Sequence, residues 1–213
     1  MGMKNIYNEK TAVTYDKSRF KTIRGRIFRY FRNRILNKYY VRIEAKGETL
    51  DLACGTGLIA EWFLMHGEKV TGSDFSMPML NMAKQKLGLN GFLKGFVNAD
   101  AHFLPFSDKS FDIITCFRFL NLMSPASRLI IHKEVSRVSR SYFLASYSID
   151  SPYQKVRRLV KKLLGYPGSG AFPVTKFMLK EELKRTGIFP IDIKTVFPLL
   201  TEEMVVLAEI KQN

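Results

Sequence analysis

Two rhythms of apolar side chains alternate along the chain. Short apolar runs at about 48–53, 68–73, 93–98, 111–117 and 141–148 have the length of buried strands. Between them lie stretches with apolar positions three and four apart, at 57–66 (Leu58, Ile59, Trp62, Phe63), 77–87 and 125–137, which predict helices. Strand–helix alternation at this spacing predicts a doubly wound, mostly parallel α/β sheet. Residues 150–175 break the rhythm. Asp150-Ser-Pro-Tyr opens an amphipathic helix, and Gly165-Tyr-Pro-Gly-Ser-Gly-Ala-Phe-Pro follows it as a loop. Thr175 then reads as an N-cap, with Met178, Leu179 and Leu183 on one helical face ending near Gly187. Two last strands are expected at about 191–198 and 203–210. Upstream, Phe20, Ile23, Ile27, Tyr30, Phe31 and Ile35 lie close to helical spacing across 18–40, with arginines filling the opposite face. The expected organisation is one domain over 1–213. It comprises a basic helical lid (1–44), a ligand-binding core (45–147), a basic helical insertion (150–175) and a C-terminal helix and strand pair (176–213).

The first predicted strand runs into Leu50-Asp-Leu-Ala-Cys-Gly-Thr-Gly57. Glycine takes positive φ and has no Cβ, so a ligand can lie on the backbone there, and the N–H groups opening the next helix point at it. Asp51 beside this loop repels phosphate and suits a cationic or amine-bearing ligand. Asp74 closes Glu68-Lys-Val-Thr-Gly-Ser-Asp, and Asp100 closes Gly95-Phe-Val-Asn-Ala-Asp. Acids at the carboxyl ends of successive parallel strands converge on one crevice, and the acid after the second strand is well placed for two ribose hydroxyls. A dinucleotide site is the rival, since Gly55-Thr-Gly57-Leu-Ile-Ala60 fits G-x-G-x-x-A with Asp74 near the ribose position. Against it, Asp51 would face a pyrophosphate, and 213 residues leave no second catalytic domain.

Asp51-Leu-Ala-Cys-Gly-Thr-Gly, Gly72-Ser-Asp-Phe-Ser, Asp100-Ala-His-Phe-Leu-Pro-Phe and Ser110-Phe-Asp-Ile-Ile resemble the successive motifs of class I S-adenosylmethionine-dependent methyltransferases. Within that superfamily they resemble the subgroup that includes ubiquinone and menaquinone biosynthesis methyltransferases. The likeness covers about 45–147. It implies a Rossmann-like seven-stranded fold with an antiparallel C-terminal strand, and S-adenosylmethionine as the donor. Asp51, Ala53, Gly55 and Gly57 would flank the methionine part, and Asp74 would take the ribose hydroxyls. Phe75 would lie against the adenine, with Met79 on the same side or in the core. Asp100 and the Ala101 backbone would read the adenine amine. Tyr15 and Arg19, in Tyr-Asp-Lys-Ser-Arg-Phe, resemble an N-terminal lid over the donor carboxylate.

Methyl transfer from a sulfonium needs alignment more than activation, and a base only where the acceptor holds a proton of high pKa. The resemblance places Phe117, Arg118 and Asn121 after strand four, near the transferred methyl. Arg118 would orient an anionic acceptor or form a surface ion pair. His102 is a candidate base, although the resemblance sets it beside the adenine. His132 falls in a predicted helix and reads as structural. The Pro-Gly-Gly turn usual before strand five is replaced by Ser139-Arg-Ser-Tyr, and no Asn-Pro-Pro-Tyr follows strand four, which argues against amino-group methylation of nucleic acid.

Composition sharpens the acceptor side. No apolar run is long enough for a transmembrane helix, and the N-terminus lacks the apolar segment of a signal peptide. Cys54 and Cys116 read as reduced core thiols in a cytoplasmic protein, and His66, His102 and His132 have no metal-ligand spacing. Net charge is +15. Residues 17–42 hold ten Lys or Arg and no acid, residues 151–164 hold five and no acid, and together these equal the whole excess. Three readings follow: a solvated face, an anionic membrane surface met by apolar stripes rimmed with cations, or RNA. The first of these stripes is Phe20, Ile23, Ile27 and Phe31, and the second is Val156, Leu159, Val160 and Leu163. They fit the membrane better than RNA, or dock on the sheet. The expectation is a methyltransferase acting on a small or lipid-like acceptor at a membrane surface. The alternatives are an RNA methyltransferase and a donor- or partner-binding protein without turnover.

Overall fold

The computed structural model describes residues 22–44, 47–88, 90–150, 152–166, 171–196 and 203–211. Strands β1 (Glu48–Leu52), β2 (Lys69–Asp74), β3 (Leu93–Asn98), β4 (Phe111–Cys116), β5 (Ser139–Ser148), β6 (Ile188–Thr195) and β7 (Glu203–Ile210) form one sheet in the order β3-β2-β1-β4-β5-β7-β6. β1 to β5 pair in parallel, while β7 runs antiparallel between β5 and the edge strand β6. This is the expected Rossmann-like sheet with its antiparallel C-terminal strand. The chain winds outward from β1 through β2 to β3, then returns to the other side of β1 with β4. The strand tips of β1 and β4 therefore flank the switch point where such sheets bind ligands.

Helices α1 (Ile23–Tyr40), α2 (Leu58–Leu64), α3 (Met77–Leu87), α4 (Pro125–Val138), α5 (Pro152–Leu163) and α6 (Lys176–Lys184) complete the fold. Their starts follow local chemistry. Ser76, Ser124 and Thr175 cap α3, α4 and α6 by accepting the N–H three residues on, and prolines stand at the first turns of α3 and α4. Successive strand residues point to opposite faces. Ile114, Phe143 and Val206 accordingly join α4 and α6 in one apolar cluster, while Ile113, Leu144 and Val205 join α1 and α2 in the other.

Three elements depart from the sequence expectation. β5 starts at Ser139 rather than 141, because α4 passes straight into extended backbone there (φ −87°, ψ 140°). β6 starts at Ile188 rather than 191. The chain turns at Gly187 (φ +76°) and pairs at once with Ile210, and Pro190 is accommodated by an edge strand with a register shift beside it. In α1 the docked stripe is rotated. Phe31, Ile35, Leu36 and Tyr39 pack into the second cluster, whereas Ile23, Ile27 and Tyr30 are exposed. Arg32 is on the docked side and buried, contrary to an all-solvent arginine face. Among the described residues no helix is long and apolar enough to cross a membrane.

Candidate functional site

The β1–α2 loop alternates between hands. Ala53 (φ 55°), Gly55 (φ 55°) and Gly57 (φ 78°) are all left-handed. For Ala53, an L-residue with a Cβ, this costs about 1–2 kcal/mol. The two glycines serve different ends. A Cβ on Gly57 would stand 2.7 Å from Leu87 Cδ1, so its hydrogen atom lets α3 pack against the α2 cap. A Cβ on Gly55 would meet nothing within 4 Å, so that backbone faces open space.

Asp51 lies beneath this loop. Its Oδ2 accepts from Ala60 N at 3.0 Å, its Oδ1 accepts from Thr115 Oγ1 at 2.8 Å, and the residue is 2 % exposed. Burial, aided by the charge of Asp74 and opposed by these two bonds and Arg32, pushes its carboxyl up to about 7. Both of its oxygens are engaged inside the protein, so Asp51 supports the loop from beneath.

Asp74 stands at the β2 tip and joins two segments. Its Oδ2 accepts from Gly55 N and its Oδ1 from Ser76 N, both at 2.8 Å. Burial raises its pKa, and the N–H groups of Ser76, Gly55 and Phe75 limit the rise. Two oxygens offer about four lone-pair directions, so the carboxylate retains acceptor capacity beyond these bonds. From the β3 end, Asn98 Nδ2 donates to the Asp74 and Phe75 carbonyls at 3.0 and 2.9 Å, holding the β2–α3 turn. Asn98 was not singled out in the sequence; an amide two residues before a strand-tip acid was its only signal. Phe75 is 47 % exposed beside this turn, whereas Met79 is 2 % exposed and belongs to the core. Of the two readings for Met79, packing is the one realised.

Asp100 is exposed, and Ala101 is buried next to it. Partial burial works to raise the Asp100 pKa, but the His102 N–H and ring outweigh it and hold it low. His102 Nδ1 lies 2.6 Å from Asp100 Oδ1, and its Nε2 contacts Ser127 Oγ on α4. With both ring nitrogens engaged, His102 pins this turn to α4. Cys54 and Cys116 are free thiols, raised by burial and by the Asp51 and Asp74 charges.

The β4 tip carries the other half of the site. Phe117 is buried in the second apolar cluster rather than facing a ligand. Arg118 is left-handed (φ 59°), a strained position of a kind that clusters at functional sites. Its N–H donates to Ser146 Oγ at 2.9 Å on β5. Its guanidinium lies 3.9 Å from Glu203 Oε2 on β7 and 5.9 Å from the Phe28 ring centroid on α1. Asn121 receives the Phe172 N–H on its backbone carbonyl at 2.7 Å, while its buried side-chain oxygen has no partner among the described residues. Arg32 follows Phe28 by one helical turn and so faces the same tip. It is 4 % exposed, donates from Nη2 to Asn33 Oδ1 at 3.2 Å, and keeps a buried Nε without a partner among the described residues. Burial weighs against its charge, Glu203 and Asp51 support it, and Arg118 and Arg29 oppose it. Sequence reasoning missed Arg32. The signal was available as the one cation in the stripe Phe28, Arg32, Ile35, Leu36, Tyr39. Tyr15 and Arg19 lie outside the described residues.

Residues 49–141 match the family model described as a methyltransferase domain. A demethylmenaquinone methyltransferase of Thermus thermophilus is 36 % identical over 104 residues, covering 41 % of this chain and 47 % of that protein. A protein of Methanocaldococcus jannaschii described as uncharacterized is 31 % identical over 188 residues, covering 88 % of this chain and 64 % of its own length. The chain thus spans less than two thirds of either relative. Among solved structures, magnesium protoporphyrin IX methyltransferase from Synechocystis with bound SAH superposes with a TM-score of 0.77 at 15 % identity, over 98 % of this chain and all of that one, a likeness of fold.

Proposed function

We propose that the chain, whose residues 49–141 match a methyltransferase-domain model, transfers a methyl group from S-adenosylmethionine to a small, lipid-like acceptor. The observation that carries this is the Gly55–Asp74 junction. One carboxylate closes the loop by accepting the Gly55 N–H, while the other face of Gly55 opens on empty space. A ligand can rest on that backbone without meeting a side chain, and the remaining lone pairs of Asp74 suit a pair of ribose hydroxyls. The strand-tip acids Asp74 and Asp100 favour a cationic ligand over a phosphate one. The residues therefore fit the donor.

When bound, the donor supplies a methyl group already activated on a positively charged sulfur. The chain's own residues then bind and align. The β1–α2 loop supports the methionine part, Phe75 offers its exposed ring to the adenine, and Asp100 with the Ala101 backbone reads its amine. Buried Asp51 holds the loop from beneath through the Ala60 N–H and the Thr115 hydroxyl. On the acceptor side, Arg32 and Arg118 offer two guanidiniums at one strand tip, with the unpartnered Asn121 oxygen nearby. Of the three histidines, His102 is engaged at both nitrogens, His132 is fully buried, and His66 lies past the C-terminal end of α2, away from the strand tips. Two cations stabilise an acceptor that reacts as its oxyanion or through its enolate carbon, so that a strong base is unnecessary. An oxygenated aromatic of the sort named in the Thermus relative fits this description.

Calorimetry with S-adenosylmethionine tests the reading. Asp74→Ala removes charge-assisted bonds worth about 1.5–3 kcal/mol each, so affinity should fall by about tenfold or more. Asp74→Asn, which keeps one acceptor oxygen, should fall between. Equal affinity in wild type and Asp74→Ala would overturn the assignment.

A further inference from the structure

Helix α5 is inside out. Gln154 is its buried residue (1 % exposed), Arg157 Nη1 donates to Gln154 Oε1 at 3.2 Å, and Arg158 and Lys155 both pair with Asp150. The helix thus rests on the protein by its polar side. Its aliphatic side points away: Val156 is 60 %, Leu159 57 %, Val160 48 % and Leu163 78 % exposed. Four such side chains on one face form a contiguous stripe, and a stripe of that kind marks an interaction surface. The charge around it selects the partner. The five cations of 151–164 come with no acid, and Lys155 and Lys162 flank the stripe at positions exposed to solvent. The first half of α1 repeats the arrangement, with Ile23 70 % and Ile27 40 % exposed in a segment that also lacks acids. Both lie at the carboxyl edge of the sheet. α5 follows the β5 tip directly, and Phe28 of α1 sits under Arg118 at the β4 tip.

We infer that the outward face of α5, with the first half of α1 at the same sheet edge, docks on an anionic phospholipid surface. A continuous aliphatic stripe flanked by lysines is the form an interfacial helix takes, whereas RNA binding requires cations but has no use for four exposed aliphatic side chains. Docking turns the cleft between the β1 and β4 tips toward the bilayer. The docking stands independently of methyl transfer; its consequence, an acceptor drawn from the lipid, rests on the proposed function.

The test is co-sedimentation of the full chain with vesicles of phosphatidylcholine, alone or mixed with phosphatidylglycerol, at low and high salt. Wild type should bind the anionic vesicles at low salt, leave them at high salt and ignore the neutral ones. Leu159→Asp/Leu163→Asp should bind at least about tenfold more weakly, and Lys155→Glu/Lys162→Glu should lose about fivefold or more per lysine. Calorimetric affinity for S-adenosylmethionine should be unchanged in both double variants, which also shows that they fold. Absence of retention on anionic vesicles at low salt overturns the docking, as does equal retention of wild type and Leu159→Asp/Leu163→Asp. Tighter capture by RNA than by vesicles, insensitive to the leucine changes, likewise overturns it. Any of these failures with donor affinity intact leaves the transferase reading standing.

Discussion

Gly55 and Gly57 lie two residues apart on one loop and share positive φ, yet an added methyl group meets open space at one and Leu87 at the other. Their alanine variants should therefore separate stability from binding. Gly55→Ala should cost about 1–2 kcal/mol in urea unfolding, the left-handed strain alone, while lowering donor affinity by more than that loss explains. Gly57→Ala should cost about 2–5 kcal/mol, since overpacking against α3 adds to the same strain. A buried histidine gives a second residue-level test. His132 Nε2 lies 2.8 Å from the Tyr147 hydroxyl, and burial, with Arg128 adding to it, pushes its pKa down to about 3. Between about pH 6.5 and 3 the unfolded chain binds a proton there that the folded chain refuses. Stability from this group is present above that range and is lost as pH falls, by about 1.4 kcal/mol per unit. The stability gap between wild type and His132→Gln should narrow at that rate from about pH 6.5 downward, measured by urea midpoints; a constant gap would show that His132 titrates normally. At this scale the sequence revealed which residue types mattered at the strand tips, but not which way they faced. Asp51 and Asp74 look alike as letters, and one is sealed under a helix while the other bridges the loop.

Elements were legible where local chemistry set them. α3, α4 and α6 begin at their Ser or Thr caps, and the α2 glycine cap and the strand tips fall within a residue or two of the sequence reading. β6 begins three residues before the sequence expectation, and its edge position makes Pro190 harmless there. The amphipathic helices were harder, since a stripe does not say whether its apolar or its polar face meets the protein. α6 is held by more than its stripe. Arg128 of α4, 1 % exposed, donates to both carboxylate oxygens of Glu182 at 2.8 Å. Removing one partner of such a buried pair leaves an uncompensated charge. Glu182→Leu should thus destabilise by about 3–5 kcal/mol, and Arg128→Met/Glu182→Leu should recover most of it; equal losses would mean that the pair contributes only by packing.

At the scale of the whole molecule, the sheet order brings residues from distant parts of the chain to one edge. The tips of β1, β2 and β3 supply the proposed donor side, with Asn98 locking the turn after β2. The β4 tip, α1 and β7 supply Arg118, Arg32 and Glu203, which are spread over more than 170 positions in sequence. The charge excess is confined to two segments, and the first half of α1 and α5 bring part of each to this same edge. What the sequence determined by itself was local: the period of each element, its caps, the glycines and acids at the strand tips, and the family motifs these resemble. Each depends on a residue and its near neighbours, which the order of letters contains. What only tertiary structure decided was orientation: Asp51 inward, His102 tied at both ends, Arg32 within the docked face of α1, and α5 with its apolar side outward. Those outcomes depend on which surfaces compete for the same burial, and that competition exists only once distant elements meet.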